Sequence, residues 1–159
     1  MKKRLVIGAD HNGFLLKEKI KIYLERRKIN YEDVGAFGLD KNDDYPDYAL
    51  KLARKVIRAG KFGLLFCGSA TGMVIAANKI NGIRAAAGIN MDQVLLARKH
   101  NDVNVICLNG ISYEGMSKKP KQANFKNAVK MITLFLNTKF DGGRHLRRLR
   151  KIKEIEKLY

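Results

Sequence analysis

The stretch Gly63-Leu64-Leu65-Phe66-Cys67-Gly68-Ser69-Ala70-Thr71-Gly72-Met73 limits the possible folds more than any other part of the chain. An apolar run reaches a cysteine, turns through small residues and continues into the Ala-rich segment Val74 to Asn78. This order reads as a buried strand, a tight turn and a helix start. Such a turn offers a small anionic substrate free backbone N–H groups, two hydroxyls and the positive end of a helix. It also sets a thiol at the mouth of the turn, and a cysteine beside a helix N-terminus can have a lowered pKa and act as a base or nucleophile.

The same alternation runs through the whole chain. Leu5 to Gly8 reads as a first strand, and Gly13 to Lys28 as a helix with Leu16, Ile20, Tyr23 and Leu24 at helical spacing. Tyr31 to Val34 follows as a second strand, then a polar connection from Gly35 to Asp44. Pro46 suits a helix start, and Tyr48, Ala49, Leu52, Ala53, Val56 and Ile57 make one apolar face before Gly60. Beyond Cys67 the reading is a helix from Thr71 to Lys79, a strand from Ile83 to Ala87, a helix from Asp92 to His100 and a fifth strand from Val103 to Leu108. Ser112 to Asn124, with Pro120, reads as an exposed loop, Phe125 to Leu136 as a helix, and Arg144 to Leu158 as a final basic helix after Gly142-Gly143. Strand–helix alternation predicts an α/β chain with a five-stranded parallel sheet covered on both faces. Ligands then bind at the carboxyl ends of the strands.

The length of 159 residues suits a single domain spanning 1–159. No apolar run approaches a membrane span. The basic start Met1 to Arg4 is followed by too short an apolar run for an export signal. Two cysteines, Cys67 and Cys107, make no disulfide framework, which fits a reducing cytoplasm. The net charge is +17, and Lys118 to Lys157 holds 13 basic residues against three acidic ones. That field attracts phosphorylated metabolites, nucleic acid or acidic membranes, although lysine on a solvated surface also raises net charge without a partner.

Each candidate site residue has a plain structural alternative. Asp10-His11-Asn12-Gly13 can be only an Asx-type turn into a helix, or it can place His11 against a phosphate. The Cys67 to Gly72 turn can simply close a buried strand; it lacks the ending and length of a P-loop. Cys107 reads as a core thiol. His100 closes a helix, where a histidine can merely complement the dipole. Arg144 and Arg148 lie four apart on one helix face and can grip a phosphate together, whereas Arg147 points elsewhere. Leu146, Leu149, Ile152 and Ile155 form a winding apolar stripe that must pack on the domain or on a partner subunit. No set of His, Cys and carboxylates has zinc spacing, so no metal is expected.

In combination these motifs are much more specific. Asp10-His11 with Gly13-Phe14, Asp44-Tyr45-Pro46-Asp47-Tyr48, the Cys67 loop running on to Asn78-Lys79, Gly82-Ile83-Arg84-Ala85, His100-Asn101-Asp102, and Gly142-Gly143-Arg144-His145 with Arg148 resemble the B-type ribose-5-phosphate isomerase family, in its order and over nearly the whole chain. That family also includes the galactose-6-phosphate isomerase subunits. The resemblance implies a Rossmann-like three-layer α/β/α sandwich, a dimer with shared active sites and in some members a tetramer. It further implies cofactor-free aldose–ketose isomerisation of a sugar phosphate through a cis-enediol(ate). By the same resemblance Cys67 is the base. His100, from the neighbouring subunit, helps open the furanose ring, and Ser69 stands where Thr is usual. Gly68, Ser69, Ala70, Thr71 and Gly72 form the loop holding the oxyanion, and Asp10, His11, Asn101, Arg144 and Arg148 contact substrate. His11 and the two arginines lie nearest the phosphate.

Three departures bear on substrate choice. Ala70 replaces a usual glycine, which is acceptable if its backbone is near helical or extended. Ile111 stands where an arginine is usual. The segment Tyr113 to Asn127 is long and basic, so Lys118, Lys119 or Lys121 could supply the missing charge, although lysine is no equivalent of a bidentate arginine. The alternatives are a hexose 6-phosphate isomerase, an inactive sugar-phosphate binder, and a nucleic-acid-binding protein using the basic tail. The last is disfavoured because the tail lacks aromatic residues for stacking on bases.

Overall fold

The computed structural model describes residues 5–59, 62–112 and 121–158. Strands and helices alternate as β1 (Leu5–Ala9), α1 (His11–Arg26), β2 (Tyr31–Asp33), α2 (Tyr45–Ala59), β3 (Phe62–Cys67), α3 (Thr71–Ala77), β4 (Ala85–Ala87), α4 (Met91–Asn101) and β5 (Val105–Asn109). The two-residue strands β6 (Ile111–Ser112) and β7 (Lys121–Gln122) come next, followed by α5 (Phe125–Asn137) and α6 (Gly143–Ile155). Strands β1 to β5 form one parallel sheet in the order β2-β1-β3-β5-β4. The chain turns outward in opposite directions from β1 and β3, so the topological switch point lies between them.

Side-chain alternation along the strands explains the two cores. On β3, Leu64 and Phe66 face the layer of α1, α4 and α5, where Leu16, Ile20, Leu24, Val94, Ile132 and Phe135 are buried. Leu65 and Cys67 face the opposite layer, against Ala49, Leu52, Ala53 and Val56 of α2 and Met73 and Ala77 of α3. A strand covered on both sides must be apolar at every position, which is why β3 reads as an unbroken run. Each large aliphatic or aromatic side chain so buried contributes roughly 1.5–3 kcal/mol.

One expectation needs correction. The segment read as a loop from Ser112 begins and ends in a short antiparallel ladder, with Ile111 opposite Gln122 and Ser112 opposite Lys121. A two-residue ladder is too short to leave a periodic pattern in sequence. Lys118 and Lys119 lie outside the described residues, as does the side chain of Lys121, so the replacement of an arginine by one of them has no structural reading. The last helix, expected to need the domain or a partner, docks on its own subunit at both ends. Asp141 N–H donates to Lys99 O at 2.9 Å, Gly82 N–H to Glu156 Oε1 at 3.0 Å, and Asn81 Nδ2 to Glu156 O at 3.1 Å. Its stripe is nevertheless only partly covered: Leu146 is 41%, Ile152 42% and Ile155 56% exposed.

Candidate active site

The carboxyl ends of β1 and β3, on either side of the switch point, carry Asp10 and Cys67. Asp10 is the N-cap of α1: its Oδ1 accepts from Gly13 N–H at 2.9 Å, and its own N–H donates to Phe66 O at 3.2 Å. The helix therefore starts at His11, two residues earlier than the sequence pattern indicates. Two glycines allow this close approach. A Cβ on Gly13 would lie 2.1 Å from the Phe66 carbonyl, and one on Gly110, just after β5, 2.3 Å from Asn12 O. The start of α1 is wedged between the ends of β3 and β5, which brings Asp10 and Cys67 into contact.

Cys67 is 7% exposed, and its thiol is pushed up to about 12. Burial is the main cause, and the hydrogen-bonded Asp10 carboxylate adds to it by disfavouring a second negative charge beside it. The N–H groups of Ala70 and Gly68 act in the opposite direction but do not win. The lowered thiol pKa that the turn implies is thus reversed in the resting site. Part of the reason is that α3 has only seven residues, so the dipole behind the turn is small.

Ser69 and Thr71 expose their side chains at the mouth of the turn, while Gly68 and Ala70 are buried. Ala70 has φ 67° and ψ −21°, neither helical nor extended, which overturns the condition under which an alanine fits there comfortably. An L-residue at positive φ costs on the order of 1–2 kcal/mol. The Ala70 methyl offsets part of that cost, because it is buried in the same core as Cys67 and Met73. Gly72 is seated on Tyr45: a Cβ there would come within 2.7 Å of the phenol ring. Tyr45 thus borders the turn.

His11 lies on the same side. Its Nδ1 is 2.6 Å from Asp43 Oδ1, its backbone N–H donates to the same oxygen at 3.1 Å, and its Nε2 is 2.8 Å from Asn12 Nδ2. The structure therefore gathers Asp10, His11, Cys67, Gly68, Ser69, Ala70, Thr71 and Gly72 in one place.

A second group gathers elsewhere. His100, in the last turn of α4, stacks on His145 of α6 with ring centroids 4.2 Å apart and planes 3° from parallel. Burial and the charges of His100, Arg144 and Arg148 lower the His145 pKa, against a smaller opposing pull from Asp141. Arg144 and Arg148, which flank His145 along α6, are exposed, as is Asn101, which follows His100. The turn after His100 is clamped: Asp102 accepts from Arg84 Nη2 and Arg98 Nη1, each at 2.8 Å, and Arg84 Nε donates to the carbonyls of Asn101 and Asp102. This group sits at the amino edge of the sheet, where Gly63 N–H donates to Asn104 O at 2.9 Å. From Gly63 to Cys67 the strand rises about 13 Å at ~3.3 Å per residue. Cys67 and His100 of one chain are therefore on opposite edges.

Sequence reasoning did not single out Asp43, Lys17 or the Arg84–Asp102–Arg98 clamp. Lys17 carried a signal, since it falls within the buried stripe Gly13, Leu16, Ile20, Leu24. It is fully buried, donating to both oxygens of Asp33 at 2.9 and 2.8 Å and to Ala36 O at 2.6 Å. Asp43 carried none, because its partner lies 32 residues away. Among the described residues, no group of three or more His, Cys, Asp or Glu side chains could hold a metal ion, and no helix is long and apolar enough to cross a membrane.

Comparison with known proteins gives consistent findings. A probable ribose-5-phosphate isomerase B of Mycoplasma genitalium is 36% identical over 159 residues, covering 99% of this chain and 98% of the relative. Ribose-5-phosphate isomerase B of Escherichia coli is 33% identical, with 97% of each chain covered. The crystal structure of the Mycoplasma genitalium ribose-5-phosphate isomerase B with bound ribulose-5-phosphate superposes with a TM-score of 0.88 at 35% identity, covering 100% of this chain and 99% of the other. The Thermotoga maritima enzyme gives 0.86 at 41% identity, covering 97% and 99%. The model of the ribose/galactose isomerase family matches residues 5–152, and the chain belongs to that family.

Proposed function

We propose that the protein interconverts ribose 5-phosphate and ribulose 5-phosphate at an active site assembled from two copies of the chain. The observation that carries the shared site is the separation of Cys67, at the carboxyl edge of the sheet, from His100, Arg144 and Arg148 at the amino edge. One chain holds the base and the oxyanion donors; a second copy supplies the ring-opening histidine and the phosphate-binding arginines. The stripe left uncovered on α6 is consistent with a homodimer, and a tetramer would be a further step of the same kind. The two unpaired cysteines fit a reducing, cytoplasmic setting.

The chemistry needs no cofactor. His100 moves a proton during opening of the furanose ring. Cys67 then takes the proton from C2 of the open-chain aldose, the C–H electrons form the C1–C2 double bond, and the carbonyl electrons move onto O1 as an oxyanion. Backbone N–H groups of the Gly68 to Gly72 turn, with the Ser69 hydroxyl at its mouth, stabilise that charge. Return of the proton from Cys67 to C1 and transfer of the O2 proton to O1 give the ketose. The resting thiol must first lose its own proton, and the hydrogen-bonded Asp10 carboxylate is the acceptor in place to receive it. His11 on one chain and Arg144 and Arg148 on the other hold the phosphate, so that binding energy far from C1 and C2 aligns them with the base.

Mixing inactive Cys67→Ala with inactive His100→Ala subunits tests the shared site. A mixed dimer keeps one intact site of two, so full exchange should restore roughly a quarter of the parent activity. No recovery after demonstrated exchange would overturn the arrangement. A parallel panel of pentose 5-phosphates and hexose 6-phosphates, read as kcat/KM, tests the assignment to ribose 5-phosphate.

A further inference from the structure

The contact between Asp43 and His11 is more than a loop tether. One carboxylate oxygen accepts both the ring Nδ1–H of His11, at 2.6 Å, and its backbone N–H, at 3.1 Å. Two bonds from one residue to one atom fix both the backbone and the ring of His11. With Nδ1 donating to Asp43, the ring's lone pair is on Nε2, where Asn12 Nδ2 donates at 2.8 Å. Asn12 in turn lies 3.5 Å from the place a Gly68 side chain would occupy, so it packs against the Cys67 turn. The Asp43 side chain is 7% exposed against 26% for His11, so the carboxylate stands behind the ring rather than beside it.

A second observation is independent of that series. Asp43 Oδ2 is buried without a well-formed hydrogen bond, although the Tyr48 phenol lies beside it and is raised above its ordinary range by burial and the Asp43 charge. A buried carboxylate oxygen left in this state costs stability. A site that needed Asp43 only to hold a loop would have satisfied both oxygens or used a neutral residue.

We propose that Asp43 is a positioning residue for the reaction: it holds Nδ1 of His11 and so fixes the ring's orientation, and when substrate binds, the imidazole, protonated at both nitrogens between two anions, donates Nε2–H to the phosphate in place of its contact with Asn12. The inference rests on the reading of His11 as a phosphate contact. It assigns Asp43 no contact with substrate, since a bare carboxylate next to a phosphate dianion would repel it; the imidazole stands between them.

The test compares Asp43→Ala, Asp43→Asn and His11→Ala in the full chain, with inorganic phosphate as the binding probe. Binding is measured by titration, the His11 tautomer by 15N-edited NMR, and the kinetics with ribose 5-phosphate. Asp43→Ala should weaken phosphate binding and raise KM on the order of tenfold, as the ring loses the Nδ1–H bond that orients it and the backbone its tether, with kcat changed much less. Its His11 ring should lose the single Nδ1–H tautomer. Asp43→Asn keeps an acceptor oxygen and should restore the tautomer and most of the affinity; this variant also serves if Asp43→Ala fails to fold. If His11→Ala weakens phosphate binding while a folded Asp43→Ala leaves both affinity and tautomer unchanged, the positioning role is refuted and the reading of His11 survives. If His11→Ala leaves phosphate affinity intact, the reading of His11 fails and the proposal with it. An Asp43→Asn variant as impaired as Asp43→Ala would also overturn it.

Discussion

Replacing Gly13 with alanine would drive a methyl group into the backbone that carries Cys67. The added Cβ would lie 2.1 Å from both the carbonyl carbon and oxygen of Phe66 and 2.6 Å from the Cys67 nitrogen. Non-bonded carbon contacts settle at roughly 3.5–4.0 Å, so α1 and β3 must separate by more than about 1 Å. The helix cannot retreat freely, because Gly110 already abuts Asn12 and Gly13 from the other side. The higher helix propensity of alanine contributes about 1 kcal/mol in the opposite direction. Overpacking costs roughly 1–3 kcal/mol, and more when backbone rather than side chain must move. Net destabilisation should be around 1–2 kcal/mol, lowering Tm by roughly 2–8 °C for a chain of this size.

The effect on turnover should be larger than that on stability. The displaced atoms are Phe66 and Cys67 themselves, and a misplacement of about 1 Å in a reacting group can cost about a hundredfold. The assay is ribose 5-phosphate turnover beside thermal unfolding and phosphate titration. Gly38→Ala is the control, since nothing lies within 4 Å of the added methyl. A Gly13→Ala protein with the parent's Tm and kcat would refute the close packing of α1 on β3 as the device that places the thiol.

Two further perturbations address the thiol and the basic helix. Cys67 keeps its proton up to about 12 in the folded protein, whereas an unfolded thiol ionises near 8.5. The unfolded chain therefore binds fewer protons in that window, and stability should fall as pH rises through it. Cys67→Ala should abolish turnover and lessen that alkaline loss, so that its Tm gains on the parent's with rising pH; a pH-independent difference would count against the shifted thiol. For α6, Arg148→Ala should lower kcat/KM by roughly tenfold to a hundredfold, the loss of a charge-assisted contact of about 1.5–3 kcal/mol, while Arg150→Ala on another face should have little effect. Equal kinetic effects at the two positions, together with equal loss of salt-dependent affinity for a short duplex, would favour the nucleic-acid reading instead.

What the sequence made legible follows its periodicity. The β3 run, the apolar face of α2 and the small-residue turn are all local patterns, and the sheet they imply is the one observed. The Asp10 cap was missed because a helix start shifts by two residues when an aspartate outcompetes Asn12-Gly13 for the role. The positive φ of Ala70 could not be read from the sequence, because a glycine position filled by alanine gives no sign of how the surrounding core will hold it. Lys17 sits within the buried stripe of α1, but the sequence gives no sign of its carboxylate partner, which lies 16 residues away. Asp43 was invisible for the same reason over a longer separation. Long-range pairings of single polar residues have no period to read.

The proposed division of the site between two chains has a topological cause. In a parallel sheet every crossover helix runs against the strands, so the end of a strand and the end of the next helix fall on opposite edges. A residue following β3, such as Cys67, is committed to the carboxyl edge, and one closing α4, such as His100, to the amino edge. The clamp of Arg84 and Arg98 on Asp102 fixes the turn after His100 in place, and the docking of α6 on Lys99, Asn81 and Gly82 holds Arg144 and Arg148 at that edge. Local flexibility within one subunit cannot close a gap of the order of a whole strand. If Cys67 and His100 act on one sugar, the second must come from another copy, and the α6 stripe, still half exposed after docking on its own subunit, is apolar surface available for that copy to cover.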